Sequence, residues 1–257
     1  MNIFKYCLRK IFNFINQILN LFGLDLYQKK NYELLRKDLF IPYLEDEKNF
    51  FDQLYKESSI KSNTWDNPHK RLRYYSLFQL ANYALGNRKK FDFVECGCYK
   101  GHSTYAISKL IKKSKLNIDF HIFDSFEGLS EYTEKDNNRI KKLSSKEIDS
   151  ERFVFKYPQE KLNQLLSEFD FTKVYPGWIP EKFHLIKNKK FQFVHIDVDV
   201  FEPTLESLEF FYPRLIKGGI IVCDDYNGAQ FPGATKAWDE YFKNKNVFFN
   251  YSVPLGA

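Results

Sequence analysis

The sequence predicts an α/β fold: an open, doubly wound, mostly parallel sheet with a helical amino-terminal extension. From residue 91 onward, short apolar runs of β type alternate with helical stretches, which is the pattern of parallel βαβ units. Runs such as FDFVEC, FQFVHI and GIIVC are nearly continuous in apolar residues, as expected of strands buried on both faces. The candidate strands are residues 91–96, 118–123, 171–175, 191–196, 219–223 and 246–251.

The extension covers residues 1–63 and precedes the main domain at 64–257. Its first segment, MNIFKYCLRKIFNFINQILNLFG, has apolar residues at helical spacing and basic residues on the other face. Residues 1–24 therefore either touch a membrane surface peripherally or pack on the main domain or on a second subunit in a homo-oligomer. Residues 27–63 are expected to form a helical arm, and HKRLRYYSLFQLANYAL (69–85) a further helix that Gly86 and Asn87 end.

Composition excludes several classes of protein. The 257 residues are 44% hydrophobic, enough for a core, and the formal net charge of +6 comes from lysines scattered among glutamates, which does not favour a nucleic-acid partner. The four cysteines lack zinc-finger spacing, and two lie in candidate buried strands, so a reducing compartment is expected. There is no apolar run of the ~20 residues that a membrane span needs, and no cleavable signal pattern. A cytoplasmic location is predicted, peripheral to the inner membrane if the first helix binds lipid.

A glycine-containing turn follows the first candidate strand. In VECGCYKGHST the strand ends at Glu95, and the chain turns through Gly97 and Gly101 into a helix that begins near Ser103. Ligands of open parallel sheets bind at the carboxyl ends of the strands, and glycine lets the backbone approach them closely. The spacing differs from the dinucleotide fingerprint, and a tight turn needs glycine even without a ligand. Both interpretations stay open at this stage.

An aspartate ends the second candidate strand, in FHIFDSFEGL. In nucleotide-binding folds of this kind, an acidic residue that binds the ribose diol follows the glycine turn at a typical sequence separation. Asp124 lies at that separation from the glycine turn here, with Ser125 next to it. The alternative is that Asp124 caps the following turn.

Four aspartates follow two further strands. Asp197 and Asp199 come after residues 191–196, and Asp224 and Asp225 after 219–223, so a parallel sheet brings all four to one edge. Clustered carboxylates repel each other unless a cation or a proton lies among them. Oxygen ligands suit Mg²⁺. The alternative is that some of them cap helices, as Asp199 would before FEPTLESLEFF.

These motifs together resemble the macrocin O-methyltransferase family. FVECGCYKGHS, HIFDSFEGLSE, PGWIPEKF and VHIDVDVFEPTLESLEFFYPRLIKGGIIVCDDYNGAQFPGATKAWDEYF occur in the order of that family, from about residue 60 to the end. The resemblance implies a Rossmann-like class I methyltransferase sheet that uses S-adenosyl-L-methionine and Mg²⁺ to methylate sugar hydroxyls. It also implies site residues: Glu95, Gly97, Gly101, Ser103, Asp124 and Ser125 at the cofactor, Asp197, Asp224 and Asp225 at the metal, and Asp199 as general base.

Other residues carry weaker expectations. Trp178 and Tyr226 are candidates for the acceptor pocket, or else ordinary packing residues. His195 falls inside a candidate strand and is expected to be a core histidine, whereas His102 replaces a glycine that is usual in the family's loop. The polar stretch 130–152 is predicted to be a surface insertion or a mobile cover. The chain stops where the family's last strand should begin, so that strand is expected to be missing or very short.

The predicted function is therefore methylation of a sugar hydroxyl in a bacterial surface glycan or a glycosylated metabolite. One alternative is a metal-dependent O-methyltransferase of the catechol type, acting on another small diol. The other is a noncatalytic protein that binds S-adenosylmethionine or scaffolds a membrane.

Overall fold

The computed structural model describes residues 15, 18, 24–28, 32–36, 45–65, 68–137, 144–228 and 230–245. The strands are β1 (Leu24–Gln28), β2 (Tyr32–Arg36), β3 (Asp92–Cys96), β4 (Phe120–Asp124), β5 (Thr172–Pro176), β6 (Phe191–Ile196) and β7 (Leu215–Cys223). The helices are α1 (Glu45–Ser62), α2 (Pro68–Gly86), α3 (His102–Ser114), α4 (Ser145–Val154), α5 (Gln159–Leu165), α6 (Phe201–Phe211) and α7 (Pro232–Phe242).

The central sheet has five parallel strands in the order β5-β4-β3-β6-β7. The strand order reverses direction at β3, with β4 and β5 on one side and β6 and β7 on the other. The predicted doubly wound α/β fold is confirmed. In an open sheet of this kind, the crevice beside such a switch point is where ligands bind.

The five candidate strands between residues 91 and 223 all form. β7 begins earlier than predicted, at Leu215, because Gly218 and Gly219 lie inside the strand and interrupt the apolar run on which the prediction relied. Gly218 has a φ of +78°, and the pairing with β6 shifts register between Phe191 and Phe193. The sixth candidate, 246–251, and the expected shortening of the last strand lie outside the described residues.

The expected helical arm is confirmed in part: α1 (Glu45–Ser62) is helical, whereas two short strands precede it. Residues 24–36 hold β1 and β2, which pair as an antiparallel hairpin from Leu24 opposite Arg36 to Gln28 opposite Tyr32. Neither five-residue strand is a continuous apolar run, and the adjacent Leu34 and Leu35 of β2 break the alternation typical of a half-buried strand, so the sequence pattern did not reveal them. Of the predicted first helix only Ile15 and Ile18 are described, both helical. Its contact with membrane or protein, and homo-oligomer formation, stay predictions.

Helices α1 and α2 pack against α3, and α2 also contacts β6 and β7 directly. Phe51 and Leu54 of α1 share a buried cluster with Phe78 of α2, Ile107 of α3 and Phe93 of the sheet. Side chains before and after residue 63 therefore belong to one core, and the division of the chain at that residue stays a prediction. A second buried cluster covers the other face of the sheet beneath α6 and α7.

The stretch 130–152 is partly anchored. A short 3-10 helix at Glu134–Asp136 and the start of α4 are described, and 138–143 lie outside the described residues. Asp136 is buried and accepts a hydrogen bond of 2.7 Å from the backbone N–H of Phe201, the first residue of α6. The polar insertion thus attaches beside the loop that carries Asp199.

Candidate active site

The turn from β3 into α3, here called the glycine loop (residues 97–101), requires glycine at both ends. Gly97 and Gly101 have φ angles of +81° and +79°, which side chains disfavour. A Cβ at Gly97 would lie 1.9 Å from the backbone oxygen of Asp197, and one at Gly101 would lie 2.6 Å from Cδ1 of Leu162. The loop therefore packs directly against the end of β6.

Asp124 organises the glycine loop. Its Oδ2 accepts hydrogen bonds from the backbone N–H groups of Cys98 (2.8 Å) and Tyr99 (3.0 Å), and its Oδ1 accepts one from Phe126 (2.7 Å). Ser125 donates to the backbone oxygen of Gly128 at 2.9 Å. Asp124 thus caps the turn that follows it, as the alternative interpretation expected. It also bonds to the backbone of the glycine loop at the end of the neighbouring strand. The ribose contact stays a prediction.

The start of α3 is joined to the arm helices through His102. Its Nδ1 lies 2.9 Å from Oγ1 of Thr64, and its Nε2 lies 3.3 Å from the backbone oxygen of Tyr55. Its ring centroid is 4.2 Å from that of Tyr74, and the next residue, Ser103, is buried. His102 therefore packs against α1 and α2.

The four aspartates that follow β6 and β7 meet at the carboxyl edge of the sheet, and we call them the acidic cluster (Asp197, Asp199, Asp224 and Asp225). The backbone N–H of Asp197 bonds to Cys96 and that of Asp224 to Ile196, so the strand ladders hold both loops in place. Carboxylate oxygens of Asp197, Asp199 and Asp225 all lie within 4.8 Å of one another. Sequence reasoning correctly placed these side chains together.

Three members of the acidic cluster are poorly compensated. Burial, followed by the charges of neighbouring aspartates, raises the pKa of Asp197 and of Asp199 well above the usual range. Burial and the charge of Asp224 raise the pKa of Asp225 to about 6. Oδ2 of Asp225 is buried and has no hydrogen-bond partner among the described residues. A buried oxygen without a partner beside two further carboxylates fits a hard divalent cation such as Mg²⁺.

Asp224 differs from the other three because its contacts with cationic side chains outweigh its burial. Arg73 of α2 donates a short hydrogen bond to its Oδ2, and Nε2 of His195 lies 3.8 Å from its Oδ1. Burial alone would raise the pKa of Asp224, but Arg73 and His195 outweigh burial and hold it below the usual range. Sequence reasoning missed this role of Arg73, because the basic segment around it does not reveal which cation faces the sheet.

His195 lies between Glu95 at the end of β3 and Asp224 of the acidic cluster. It is buried in β6, as expected of a core histidine, and its Nδ1 lies 2.9 Å from Oε1 of Glu95. Burial would lower its pKa, but the carboxylates of Asp224 and Glu95 outweigh burial and raise that pKa to about 10. Glu95 also accepts a hydrogen bond of 2.5 Å from Thr104, so both its oxygens are used inside the protein.

The two candidate acceptor residues lie at the same edge of the sheet. Trp178 is in the loop after β5 and is 36% exposed. Tyr226 follows the acidic cluster, and its hydroxyl donates to Oδ1 of Asp239 at 3.0 Å. Nothing in these contacts assigns either residue to an acceptor, and both roles stay predictions.

Relatives of this chain include two curated methyltransferases. Demethyldecarbamoylnovobiocin O-methyltransferase of Streptomyces niveus is 23% identical over 177 residues, which are 67% of this chain and 65% of that protein. 8-Demethyl-8-(2,3-dimethoxy-alpha-L-rhamnosyl)-tetracenomycin-C 4'-O-methyltransferase of Streptomyces olivaceus is 24% identical over 140 residues, 52% of each chain. The chain spans about two thirds and about half of the length of these relatives.

Solved structures share the fold. The O-methyltransferase NovP matches with a TM-score of 0.57 at 20% identity, over 76% of this chain and 90% of its own. CalS11, a calicheamicin methyltransferase, matches with a TM-score of 0.53 at 17% identity, over 86% and 94%. The family match covers more than four fifths of the sequence, residues 33–250. This chain belongs to the macrocin-O-methyltransferase (TylF) family.

Proposed function

We propose that this chain is an O-methyltransferase that uses S-adenosylmethionine and Mg²⁺ to methylate a sugar hydroxyl. The observation that carries the proposal is the direct packing of the glycine loop against the acidic cluster, where Gly97 leaves no room for a side chain against the backbone of Asp197. A loop suited to a cofactor and a cluster suited to a cation thus adjoin. Family membership and the rhamnosyl group in the name of one relative support a sugar acceptor.

The cofactor would bind along the glycine loop and the end of β4. S-adenosylmethionine supplies an electrophilic methyl group on a sulfonium centre. Gly97 and Gly101 let the backbone approach it closely, at the start of α3 where Ser103 lies. A carboxylate accepts about four hydrogen bonds, and Asp124 already accepts three from the backbone, so one position is left for a ribose hydroxyl. Glu95 would act through His195, because its oxygens are already bonded.

The acidic cluster would bind the ion and receive the proton. Mg²⁺ lowers the pKa of a hydroxyl that coordinates it, which a sugar needs in order to act as a nucleophile near neutral pH. In this proposal Asp197, Asp224 and Asp225 hold the ion, and a carboxylate oxygen of Asp199 accepts the hydroxyl proton. Asp199 is held by a left-handed backbone, φ +64°, in a buried position. Because the base is already held next to the acceptor, proton transfer does not cost the entropy of bringing the two groups together.

The acceptor in this proposal is a sugar of a bacterial surface glycan or of a glycosylated metabolite. Two adjacent sugar hydroxyls would chelate the ion, which favours vicinal diols. The test is incubation of the purified chain with methyl-labelled S-adenosylmethionine, Mg²⁺ and a panel of rhamnosides, nucleotide-linked sugars and catechols, followed by mass analysis. The expected result is methylation of a sugar in the panel, and removal of the ion by a chelator should abolish this methylation. Methylation of catechols alone, or of nothing in the panel, would reject the sugar assignment.

The cofactor part of the proposal has its own test. An added Cβ at Gly101 meets Leu162 and Leu165 and forces a residue with a side chain into a left-handed backbone, so Gly101→Ala should weaken S-adenosylmethionine binding about tenfold or more. Gly86→Ala is the matched control, because a Cβ there has nothing within 4 Å. Calorimetric titration measures both affinities. Equal binding by the two variants would remove the glycine loop from the cofactor site.

A further inference from the structure

The exit of the glycine loop is held from two sides. On one side, a Cβ at Gly101 would meet Leu162 and Leu165, so α5 packs directly against the turn. On the other side, His102, the first residue of α3, is only 3% exposed and lies between α1 and α2. The position at which the loop becomes helix therefore depends on what holds His102.

Both ring nitrogens of His102 are engaged by one segment, α1 with the turn that follows it. Nε2 lies 3.3 Å from the backbone oxygen of Tyr55, and Nδ1 lies 2.9 Å from Oγ1 of Thr64. A carbonyl oxygen only accepts hydrogen bonds, so Nε2 is the donor, and Nδ1 of a neutral ring accepts from the Thr64 hydroxyl. The same hydroxyl lies 2.9 Å from Oγ of Ser62, which donates to the backbone oxygen of Ser58 inside α1. The ring is thus fixed in orientation as well as in place.

The end of α1 is shaped to present Thr64 to α3. Asn63 has a left-handed backbone, φ +49°, and the backbone N–H of Thr64 bonds to the oxygen of Ser59 at 3.1 Å. A left-handed residue of this kind ends a helix and turns the chain back over its last turn. Lys100 of the glycine loop donates to the backbone oxygen of Asn63 at 3.3 Å. Two successive residues of this turn therefore contact the loop and the start of α3.

We propose that Thr64 and His102 are positioning residues for S-adenosylmethionine, through which α1 fixes the exit of the glycine loop. The inference rests on the proposed cofactor site and adds the amino-terminal arm to it. A loop that adopts its binding conformation for only part of the time has an apparent Kd that is larger in proportion. The hydrogen bonds between His102 and α1 keep that fraction high before the cofactor binds.

The test is calorimetric titration of the full chain with S-adenosylmethionine. Thr64→Val keeps the branched shape of the side chain and removes its hydroxyl. Nδ1 of His102 then loses its partner, and binding should weaken about threefold or more. Thr64→Ser keeps the hydroxyl and should bind the cofactor as wild type does.

Tyr105→Phe is the matched control. Tyr105 lies one turn further along α3, and its hydroxyl donates to Oε1 of Glu57 on α1 at 2.6 Å. The variant therefore also removes a hydrogen bond between α1 and α3, but away from the glycine loop, and should keep wild-type affinity. Urea unfolding should show that Thr64→Val and Tyr105→Phe both lose stability, so that stability alone does not account for the difference in affinity.

A double-mutant cycle tests whether Thr64 acts through the ring. His102→Leu should weaken S-adenosylmethionine binding at least as much as Thr64→Val does. In the His102→Leu background, Thr64→Val should have no further effect, because the bond it removes is already absent. Additive losses would contradict the inference, since Thr64 would then act by another route.

The outcomes separate this inference from the proposed function. Wild-type affinity in Thr64→Val would overturn the inference alone, and that result stands even if His102→Leu does not fold. An equal loss of affinity in Tyr105→Phe would also overturn it, because the loss would then belong to the docking of α1 as a whole. A wild type that does not bind S-adenosylmethionine would overturn the proposed cofactor site, and this inference with it.

Discussion

Two acidic groups lie at opposite ends of the same sheet, and they are compensated differently. At the amino end, Asp92 and Asp119 share Lys189, whose Nζ lies 2.5 Å and 3.2 Å from their carboxylates. His121 adds a contact of 3.1 Å to Asp92. At the carboxyl end, Asp197 and Asp199 form no ion pair with lysine or arginine among the described residues.

The pKa values move in opposite directions for this reason. Burial would raise the pKa of Asp92, but hydrogen bonds from His121 and Lys189 outweigh burial and lower it to about 2. Burial and the charge of Asp224 raise that of Asp225 to about 6. At the amino end the chain supplies the counter-charge itself. At the carboxyl end Arg73 and His195 compensate Asp224, and the pKa values of Asp197, Asp199 and Asp225 stay raised. Strongly perturbed pKa values caused by burial and specific charged neighbours make the carboxyl end the candidate functional site.

The largest expected effect is on catalysis at the carboxyl end. Asp199→Asn should lower kcat about 100-fold or more, since general base catalysis contributes at least that much, while S-adenosylmethionine and Mn²⁺ still bind. Label transfer measures turnover, and calorimetry measures the two affinities. The matched variant at the other end, Asp119→Asn, should keep wild-type turnover. Full turnover by Asp199→Asn would exclude it as the base.

The next effect is the response of stability to the ion. Mg²⁺ at about 100 times its Kd should raise the free energy of unfolding by about 2.7 kcal/mol, because only the folded chain assembles the acidic cluster. Urea unfolding with Mg²⁺ and with EDTA measures the difference. Asp197→Asn should abolish the response, and Asp92→Asn should leave it intact. A response that both variants retain would place the ion elsewhere.

Sequence patterns predicted the sheet because its strands β3, β4 and β6 are buried on both faces and therefore read as apolar runs. They also placed Asp197, Asp199, Asp224 and Asp225 together, since the carboxyl ends of adjacent parallel strands must share one edge. Sequence patterns failed for the β1–β2 hairpin, whose two five-residue strands have neither an apolar run nor a consistent alternation. No single motif was specific enough to indicate the family; the resemblance depended on the motifs occurring together in the family's order.

The sequence alone could not predict which basic side chains pair with the buried aspartates. Arg73 precedes Asp224 by 151 positions and Lys189 follows Asp92 by 97, so only the fold brings each pair together. Neither basic segment has a spacing that marks which of its cations is buried. Long-range pairs of this kind depend on how helices pack on the sheet, and local periodicity does not contain that information.

A smaller effect is expected at the amino end. Asp92→Asn should destabilise the fold by about 2 kcal/mol at pH 7. The folded pKa of Asp92 is lowered from 3.8 to about 2, so its contribution is complete above pH 4 and is lost as pH falls towards 2. Urea unfolding of both proteins across this range should show the difference shrinking to nothing at the acidic end. A difference that does not change with pH would assign the loss to packing and not to charge.

The smallest expected change in the free energy of unfolding has the opposite sign, because it removes a carboxylate from the carboxyl end of the sheet. In EDTA, Asp225→Asn should stabilise the fold by about 1 kcal/mol at pH 7 to 8, because it removes a buried carboxylate that its neighbours repel. The folded pKa of Asp225 is raised from 3.8 to about 6, so the repulsive cost appears as pH rises through that window and is absent below pH 4. The gain should therefore vanish on acidification, opposite to the pH dependence at Asp92. With Mg²⁺ present the sign should reverse, since the variant loses an ion ligand. Destabilisation by Asp225→Asn in EDTA would mean that the fold already compensates the carboxyl end as it compensates the amino end.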